Sequence, residues 1–256
     1  MPDTVETGLV LSGGGARGLT HLGVMKALLE MGVKFNAISG TSAGSVIGAL
    51  YCHGYTVDEI FRMITTGYFR FIKPAWTISG LLSLDSLGAE LLRYIPENNF
   101  ESLKTRLVVC ATNLEVGAAT YFSSGELIPA VLASCCVPAV FKPVEIKKVM
   151  YVDGGITDNL PVKPIGETCR LIVGSHCNPI ANRFDKRNIK AIIERGLLIA
   201  INGNTRISKG MCDVLIEPPA AGGFSGFDIG KAREMFEIGY HYTVENFTLN
   251  NFVSAS

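Results

Sequence analysis

The sequence lacks an excess of charge of either sign. Lys and Arg total 23, Asp and Glu total 23, and charged residues make up 18% of the 256. A protein that binds nucleic acid needs a basic surface, so we expect no nucleic-acid partner and only local attraction to a membrane. Because 48% of the residues are hydrophobic, the chain can build a large core and is not disordered.

Long apolar runs and zinc-site spacings are missing as well. No run is long enough to span a bilayer, and Met1 to Gly8 lacks a basic start followed by an apolar stretch, so we expect no signal peptide. The seven cysteines are scattered, with no Cys-x-x-Cys pair and no Cys/His spacing. An odd number of scattered thiols predicts free cysteines in a reducing cytoplasm.

Short apolar runs alternate with helical patterns along the chain, without repeats or low-complexity tracts. The apolar runs predict strands at Gly8–Leu11, Lys34–Ser39, Arg106–Ala111, Tyr151–Asp153, Leu171–Ser175 and Asp213–Glu217. The helical spacing predicts helices at Gly18–Met31, Ala43–His53, Glu126–Ser134, Ile189–Ile201 and Asp228–Asn246, and a capping box at Thr56–Glu59 opens another. The alternation predicts one α/β domain over residues 1–256, with a mostly parallel sheet between helices.

A glycine-rich loop follows the first predicted strand and opens a helix. Its sequence, Gly13-Gly14-Gly15-Ala16-Arg17-Gly18, matches the dinucleotide fingerprint Gly-x-Gly-x-x-Gly. A dinucleotide site would place an acidic residue at the end of the next strand, and here Ala37-Ile38-Ser39-Gly40 has none. The same glycines can aim backbone amides at a developing negative oxygen, so we favour an oxyanion or anion site. A dinucleotide site and a structural tight turn stay as alternatives.

The sequence Gly40-Thr41-Ser42-Ala43-Gly44 is a Gly-x-Ser-x-Gly motif between a predicted strand and a predicted helix. This context is the one in which a sharp turn lifts a nucleophilic serine clear of a sheet. The glycines and the alanine relieve crowding of the strand against the helix. We therefore favour Ser42 as a nucleophile; the alternative is that it only caps the helix, as serines often do.

A serine nucleophile needs a base to take its proton. The chain has four histidines, none in the late loop that a Ser-acid-His order requires, although His176 stays open: His21, His53, His176 and His241. Asp153-Gly154-Gly155 ends a predicted strand, and its glycines leave the carboxylate room to face a neighbouring loop. A plain Asp-Gly turn is equally compatible with these three residues, and Asp158 is interpreted as a turn residue that bonds its own backbone.

Taken together, the motifs resemble those of patatin-like phospholipases. The resemblance covers Val5 to Pro161 and depends on four motifs in the family's order: Gly13-Gly14-Gly15-x-Arg17-Gly18, Gly40-x-Ser42-x-Gly44, Ser134-x-x-x-Pro138-x-x-Phe141-x-Pro143 and Asp153-Gly154-Gly155. It implies a three-layer α/β/α fold and a catalytic dyad of Ser42 and Asp153. It also implies an oxyanion loop of Gly13, Gly14 and Gly15 with Arg17, a structural wall at Pro138–Pro143, and no metal or other cofactor.

The activity that this resemblance implies is hydrolysis of acyl esters of lipids or lysophospholipids through an acyl-Ser42 intermediate. An acyltransferase on the same dyad and a non-catalytic lipid-binding or partner-binding module are the remaining alternatives.

The segment Tyr68 to Leu84 mixes aromatic and aliphatic residues with Arg70 and Lys73. Such segments suit membrane surfaces, so peripheral membrane contact is one interpretation; packing in the core or at a dimer interface is the other. The oligomeric state is not predicted.

Overall fold

The computed structural model describes residues 6–66, 75–76, 82–181 and 187–253. Of the segment Tyr68 to Leu84, the described residues include only 75–76 and 82–84, so the hypothesis that it contacts a membrane lies largely outside them. Within the segment, two short strands, β3 (Ala75–Trp76) and β4 (Leu82–Ser83), pair with each other.

The main sheet has eight strands, and five consecutive strands starting from one edge of the sheet are parallel. These five run in the order β10, β9, β1, β2, β5, and their bounds are β1 Thr7–Leu11, β2 Ala37–Thr41, β5 Arg106–Asn113, β9 Leu171–Ser175 and β10 Val214–Ile216. Three antiparallel strands extend the sheet beyond β5: β6 Ala118–Phe122, β7 Val144–Ile146 and β8 Val149–Asp153. The sheet is therefore mixed, with a five-stranded parallel part and antiparallel strands added at β5.

Nine helices accompany the sheet in the described ranges: α1 Leu19–Glu30, α2 Ala43–His53, α3 Val57–Thr66, α4 Asp85–Tyr94, α5 Leu127–Ser134, α6 Lys163–Gly166, α7 Ile189–Lys209, α8 Ala232–Asn246 and α9 Asn250–Val253. Alternate residues of one strand enter different cores. Leu9 and Leu11 join a large core shared with α1, α2, α5 and α8, whereas Val10 joins a smaller core on the opposite face with Ile165 of α6. Because strand side chains alternate between faces, this division shows that both faces of the sheet are covered.

The predicted parallel strands and the three-layer arrangement are confirmed, with shifts of a few residues at their ends. The capping box is present, since Glu59 N donates to Thr56 Oγ1 (3.3 Å) and Thr56 N donates to Glu59 Oε2 (2.8 Å). The antiparallel strands β6 and β7 were not predicted. The turn between β7 and β8 consists of Lys147 and Lys148, both with positive φ (52° and 67°), and a Lys-Lys pair carries none of the usual hairpin signal.

Candidate active site

Ser42 occupies a strained turn between β2 and α2. Its φ of 52° and ψ of −122° lie in a region that non-glycine residues rarely adopt. The turn depends on its glycines: a Cβ at Gly40 would lie 2.6 Å from the backbone of Gly44, and a Cβ at Gly44 would overlap the carbonyl oxygen of Leu11. The sequence thus removes side chains where β2, α2 and β1 come closest, and the surrounding structure holds Ser42 in its strained conformation.

The Ser42 side chain makes no capping hydrogen bond to α2, which removes the support for the interpretation that Ser42 is only a helix cap. Its backbone is held instead by Ser134, at the end of α5. The Ser42 amide donates to Ser134 Oγ (2.8 Å), and that hydroxyl donates to the carbonyl of Cys110 on β5 (2.6 Å). Ser134 is buried and belongs to the motif that ends at Pro143, but the sequence did not assign it this role.

The register of β5 brings Asp153 to Ser42. Thr41, the last residue of β2, pairs with Cys110, and Asp153, the last residue of β8, pairs with the next residue, Ala111. β6 pairs with residues 109–113 of β5 along its other edge, so β2 and β8 share one edge and their ends meet there. A parallel strand and an antiparallel strand therefore deliver their C-terminal residues to the same point.

Burial sets the protonation behaviour of Asp153, which is 7% exposed. Loss of solvent raises the pKa of its carboxyl from 3.8 to about 6, against the lowering effects of a hydrogen bond from the Gly155 amide and an interaction with the Ser42 hydroxyl. The Gly155 amide donates to Asp153 Oδ1 at 2.8 Å, so the carboxylate also makes the turn contact that Asp-Gly sequences favour. A carboxylate with a pKa near neutrality beside a serine hydroxyl is suited to accept its proton.

The peptide groups of the glycine loop are held in fixed directions. The Gly13 amide donates to the carbonyl of Asn159 (3.2 Å), so it is already engaged. The Gly13 carbonyl accepts a hydrogen bond from Asn178 Nδ2 (2.5 Å). Because the carbonyl and the N–H of a trans peptide point in opposite directions, this bond turns the Gly14 amide away from Asn178. A Cβ at Gly13 would lie 3.1 Å from Ser42 Cβ, which places the loop against the serine.

Two amides of this loop, those of Gly14 and Gly15, have no protein acceptor among the described residues. Backbone amides that are left unpaired beside a serine are the groups expected to bind an oxyanion. Gly15 has a φ of 58°, and a Cβ there would lie 2.5 Å from the Gly226 carbonyl oxygen, so a side chain would displace the loop. Asn178 was not identified from the sequence, although its place just after β9 puts it at the carboxyl edge of the sheet.

Arg17 is buried, at 4% exposed, and binds protein groups. Its Nε lies 3.5 Å from the Gly14 carbonyl oxygen, and its Nη2 pairs with Glu194 Oε1 of α7 at 3.1 Å. Glu194 also accepts the Gly226 amide (2.7 Å), while the Gly226 carbonyl accepts the Ala16 amide (2.7 Å). The Ala16 amide, one of the backbone donors at this helix N-terminus, is thus engaged by protein backbone, and Arg17 holds the loop through Gly14 and Glu194.

The four histidines, all within the described ranges, have other partners. His21 is buried, with Nδ1 2.7 Å from Ser175 Oγ and Nε2 2.9 Å from the Ser12 carbonyl. His176 pairs through Nδ1 with Glu217 (2.7 Å), and burial lowers its pKa. His53 pairs with Glu97 and His241 with Glu237. None of these contacts involves Ser42 or Asp153.

Asp158 differs from its sequence interpretation as a simple turn residue. Its Oδ2 accepts a hydrogen bond from the Tyr121 hydroxyl (2.7 Å), and its Oδ1 lies 3.4 Å from Ser208 Oγ of α7. Burial raises the pKa of the Asp158 carboxyl, against the lowering effect of these hydroxyls. The side chain therefore joins β6 and α7 rather than only closing its own turn.

Within the described ranges, the side chains form no metal site and the helices provide no membrane span. No group of three or more His, Cys, Asp or Glu side chains there is arranged to hold a metal ion. Among the helices in those ranges, none has the length and apolar character needed to cross a bilayer.

Comparison with known proteins identifies the motif-bearing part of the chain. A family profile described as Patatin-like phospholipase matches residues 9–165. The lysophospholipase NTE1 of Kluyveromyces lactis is 27% identical over 92% of this chain, which spans only 19% of that relative's length. An uncharacterized NTE family protein of Mycobacterium tuberculosis is 32% identical over 61% of this chain and 44% of its own. VipD from Legionella pneumophila has a similar fold, with a TM-score of 0.55 and 16% identity over 94% of this chain and 66% of its own.

Proposed function

This chain belongs to the patatin-like phospholipase family, and from that premise we propose that it hydrolyses acyl esters of lipids through a Ser42–Asp153 dyad. The observation that carries the proposal is that Asp153 and Thr41, the residue before Ser42, pair with adjacent positions of β5. The lipid class of the substrate follows the names of the family and of its lysophospholipase relatives. We further propose that residues 1–256 form one catalytic domain, because β9 and β10 extend the same sheet beyond residue 165.

In the proposed cycle, Ser42 Oγ attacks the ester carbonyl while the Asp153 carboxylate accepts its proton. The C–O bond to the leaving alcohol then breaks, and Asp153 returns the proton to that alcohol. Water attacks the acyl-Ser42 ester in the second half, again giving its proton to Asp153, and the fatty acid leaves as Ser42 regains its proton. The cycle consumes one water and restores both residues.

The Gly14 and Gly15 amides are proposed to bind the oxyanion of both tetrahedral intermediates. Their support is that they lack a protein acceptor in the described part of the chain, whereas the Gly13 amide is bonded to Asn159. Gly13 then serves by allowing close approach to Ser42, and Arg17 serves by fixing the loop through Gly14 and Glu194. An oxyanion donor typically supplies about 3–4 kcal/mol of transition-state stabilisation, so two donors can offset the weakness of a carboxylate base.

The test is covalent labelling followed by substitution. A fluorophosphonate probe should modify the parent protein, and peptide mapping should locate the adduct on Ser42. Ser42→Ala should remove both labelling and hydrolysis of a soluble short-chain ester while the protein still unfolds cooperatively. Hydrolysis by purified Ser42→Ala protein at nearly the parent rate would end the proposal.

A further inference from the structure

Helix α7 exposes large aliphatic side chains, which an ordinary surface helix would bury. An amphipathic helix normally buries its apolar stripe and exposes its polar one. In α7 the exposed positions repeat at intervals of three and four residues, and six of them carry large aliphatic side chains, with Arg206 also exposed among them: Ile189, Ile192, Ile193, Leu197, Ile199 and Ile207. Ile189, Ile193 and Ile207 are each about two-thirds exposed or more, at 67%, 66% and 71%. We call these six residues the outer face of α7.

The inner side of α7 is polar because it anchors the loops of the site. Asn204 Nδ2 donates to the carbonyls of Gly155 (2.9 Å) and Ile156 (2.8 Å), just after Asp153. Asn202 Nδ2 donates to the carbonyl of Asn178 (3.1 Å). Glu194 pairs with Arg17 of the glycine loop. The polar residues of α7 therefore have a structural explanation, whereas the described residues provide nothing that covers its outer face.

Further exposed apolar side chains lie in the loops that α7 anchors. Phe227 is 76% exposed and follows Gly226, whose amide is bonded to Glu194. Ile156 is 42% exposed and lies three residues after Asp153. Single exposed apolar residues are normal on a protein surface, but a row of them along one helix forms a continuous patch. Such a patch marks an interaction site. The outer face of α7 thus continues into the loops beside Ser42.

The charges of α7 favour an anionic lipid surface over a second copy of the chain as the partner. Four of the five charged residues within its 21 positions are basic. Glu194 pairs inward with Arg17 and Lys209 pairs with Glu217, so no free carboxylate of α7 opposes an anionic surface, while the basic Arg206 is exposed. A helix with an aliphatic face and basic residues elsewhere fits the boundary between headgroups and acyl chains. A second copy seated on the outer face would also lie over the loops beside Ser42, whereas a lipid surface there would supply substrate.

From these observations we propose that the outer face of α7 inserts into an anionic lipid surface and presents the Ser42 edge of the sheet to it. The docking surface rests on the proposed function only for its role in supplying lipid substrate to Ser42. Vesicle binding itself can be measured without catalysis. It involves a different stretch of the sequence from the segment Tyr68 to Leu84.

The experiment compares binding to vesicles of equal parts phosphatidylglycerol and phosphatidylcholine. The variant carries Ile189→Asp with Ile193→Asp, and its matched control carries Val244→Asp with Leu249→Asp, at positions that are 40% and 45% exposed at the end of α8 and just beyond it. Burial of each isoleucine contributes a factor of about ten or more, so binding of the α7 variant should weaken by about a hundredfold. The control should bind like the parent.

Three outcomes are informative. Equal vesicle binding by the parent and the α7 variant overturns the docking surface. Absence of vesicle binding by the parent, with a dimer that the α7 variant converts to monomer in light scattering, also overturns it and assigns the face to a second copy. Vesicle binding that the α7 substitutions weaken, in a parent that does not hydrolyse a soluble ester, supports the docking surface and instead overturns the proposed function.

Discussion

Asp153 and Asp158 are two buried aspartates five residues apart. They share burial but differ in the hydroxyl groups that they contact. Burial raises the pKa of both carboxyls. Asp153 faces the hydroxyl of a serine in a strained turn, whereas Asp158 accepts hydrogen bonds from Tyr121 and Ser208, which join strand and helix. Burial alone therefore does not identify a catalytic carboxylate; the group that it contacts does.

The largest effect expected from this comparison is on turnover. Asp153→Asn keeps the size of the side chain but cannot accept the proton of Ser42, so kcat for a soluble ester should fall by about 10⁴, by analogy with other serine-enzyme base deletions. Asp158→Asn should keep kcat within severalfold of the parent, because the amide oxygen can still accept the Tyr121 hydrogen bond. Equal loss of kcat in the two variants would remove the distinction between the aspartates.

On the other side of Ser42, Asn178→Asp tests the oxyanion loop. The new carboxylate cannot donate to the Gly13 carbonyl, so the Gly14 amide should lose its fixed direction and kcat should fall by about 10–100-fold, less than removal of a donor. KM should change little, because the Gly14 amide is proposed to bind the oxyanion of the tetrahedral intermediate rather than the intact ester. Asn36→Asp is the matched control, because Asn36 Oδ1 only accepts a bond from the Thr7 amide. An unchanged kcat for Asn178→Asp would mean that Asn178 does not position the loop.

The pH dependence of kcat/KM should follow the carboxyl of Asp153. In the proposed cycle Asp153 can accept a proton only when it is charged, so kcat/KM should decrease about tenfold per pH unit below its pKa of about 6. The Asp158→Asn variant should show the same decrease at the same pH. A rate on the soluble ester that stays constant down to pH 4 would rule out a base with this pKa.

The stability of the protein should change in the opposite direction from its activity. The folded pKa of Asp153 lies above its ordinary value of 3.8, so the folded state binds the extra proton between about pH 4 and pH 6. The free energy of unfolding should therefore decrease as pH rises through that window, by up to about 3 kcal/mol from this group. Asp153→Asn removes this cost, so at pH 8 the variant should unfold at higher urea concentration than the parent. A variant that is less stable than the parent at pH 8 would contradict this.

The strand-helix context predicted Ser42 and the glycine loop from local sequence, because the strain and the close approach there depend on neighbouring glycines. Asp153 could not be separated from a turn residue locally, since its role depends on the register of β8 with β5. Ser134 and Asn178 act across even longer separations in the chain. For α7, helical periodicity predicted a helix, but it could not indicate which side faces the core, because the inner side is defined by the loops it binds.

The central claim is that Asp153, rather than a histidine, takes the proton of Ser42. Its most direct test is the turnover of a soluble ester by four single variants with Gln or Asn at His21, His53, His176 or His241, each confirmed to be folded. We expect every variant to retain kcat within severalfold of the parent, since none of the four imidazoles contacts Ser42 or Asp153. A folded histidine variant as inactive as Ser42→Ala, with Asp153→Asn retaining appreciable turnover, would replace the dyad with a triad.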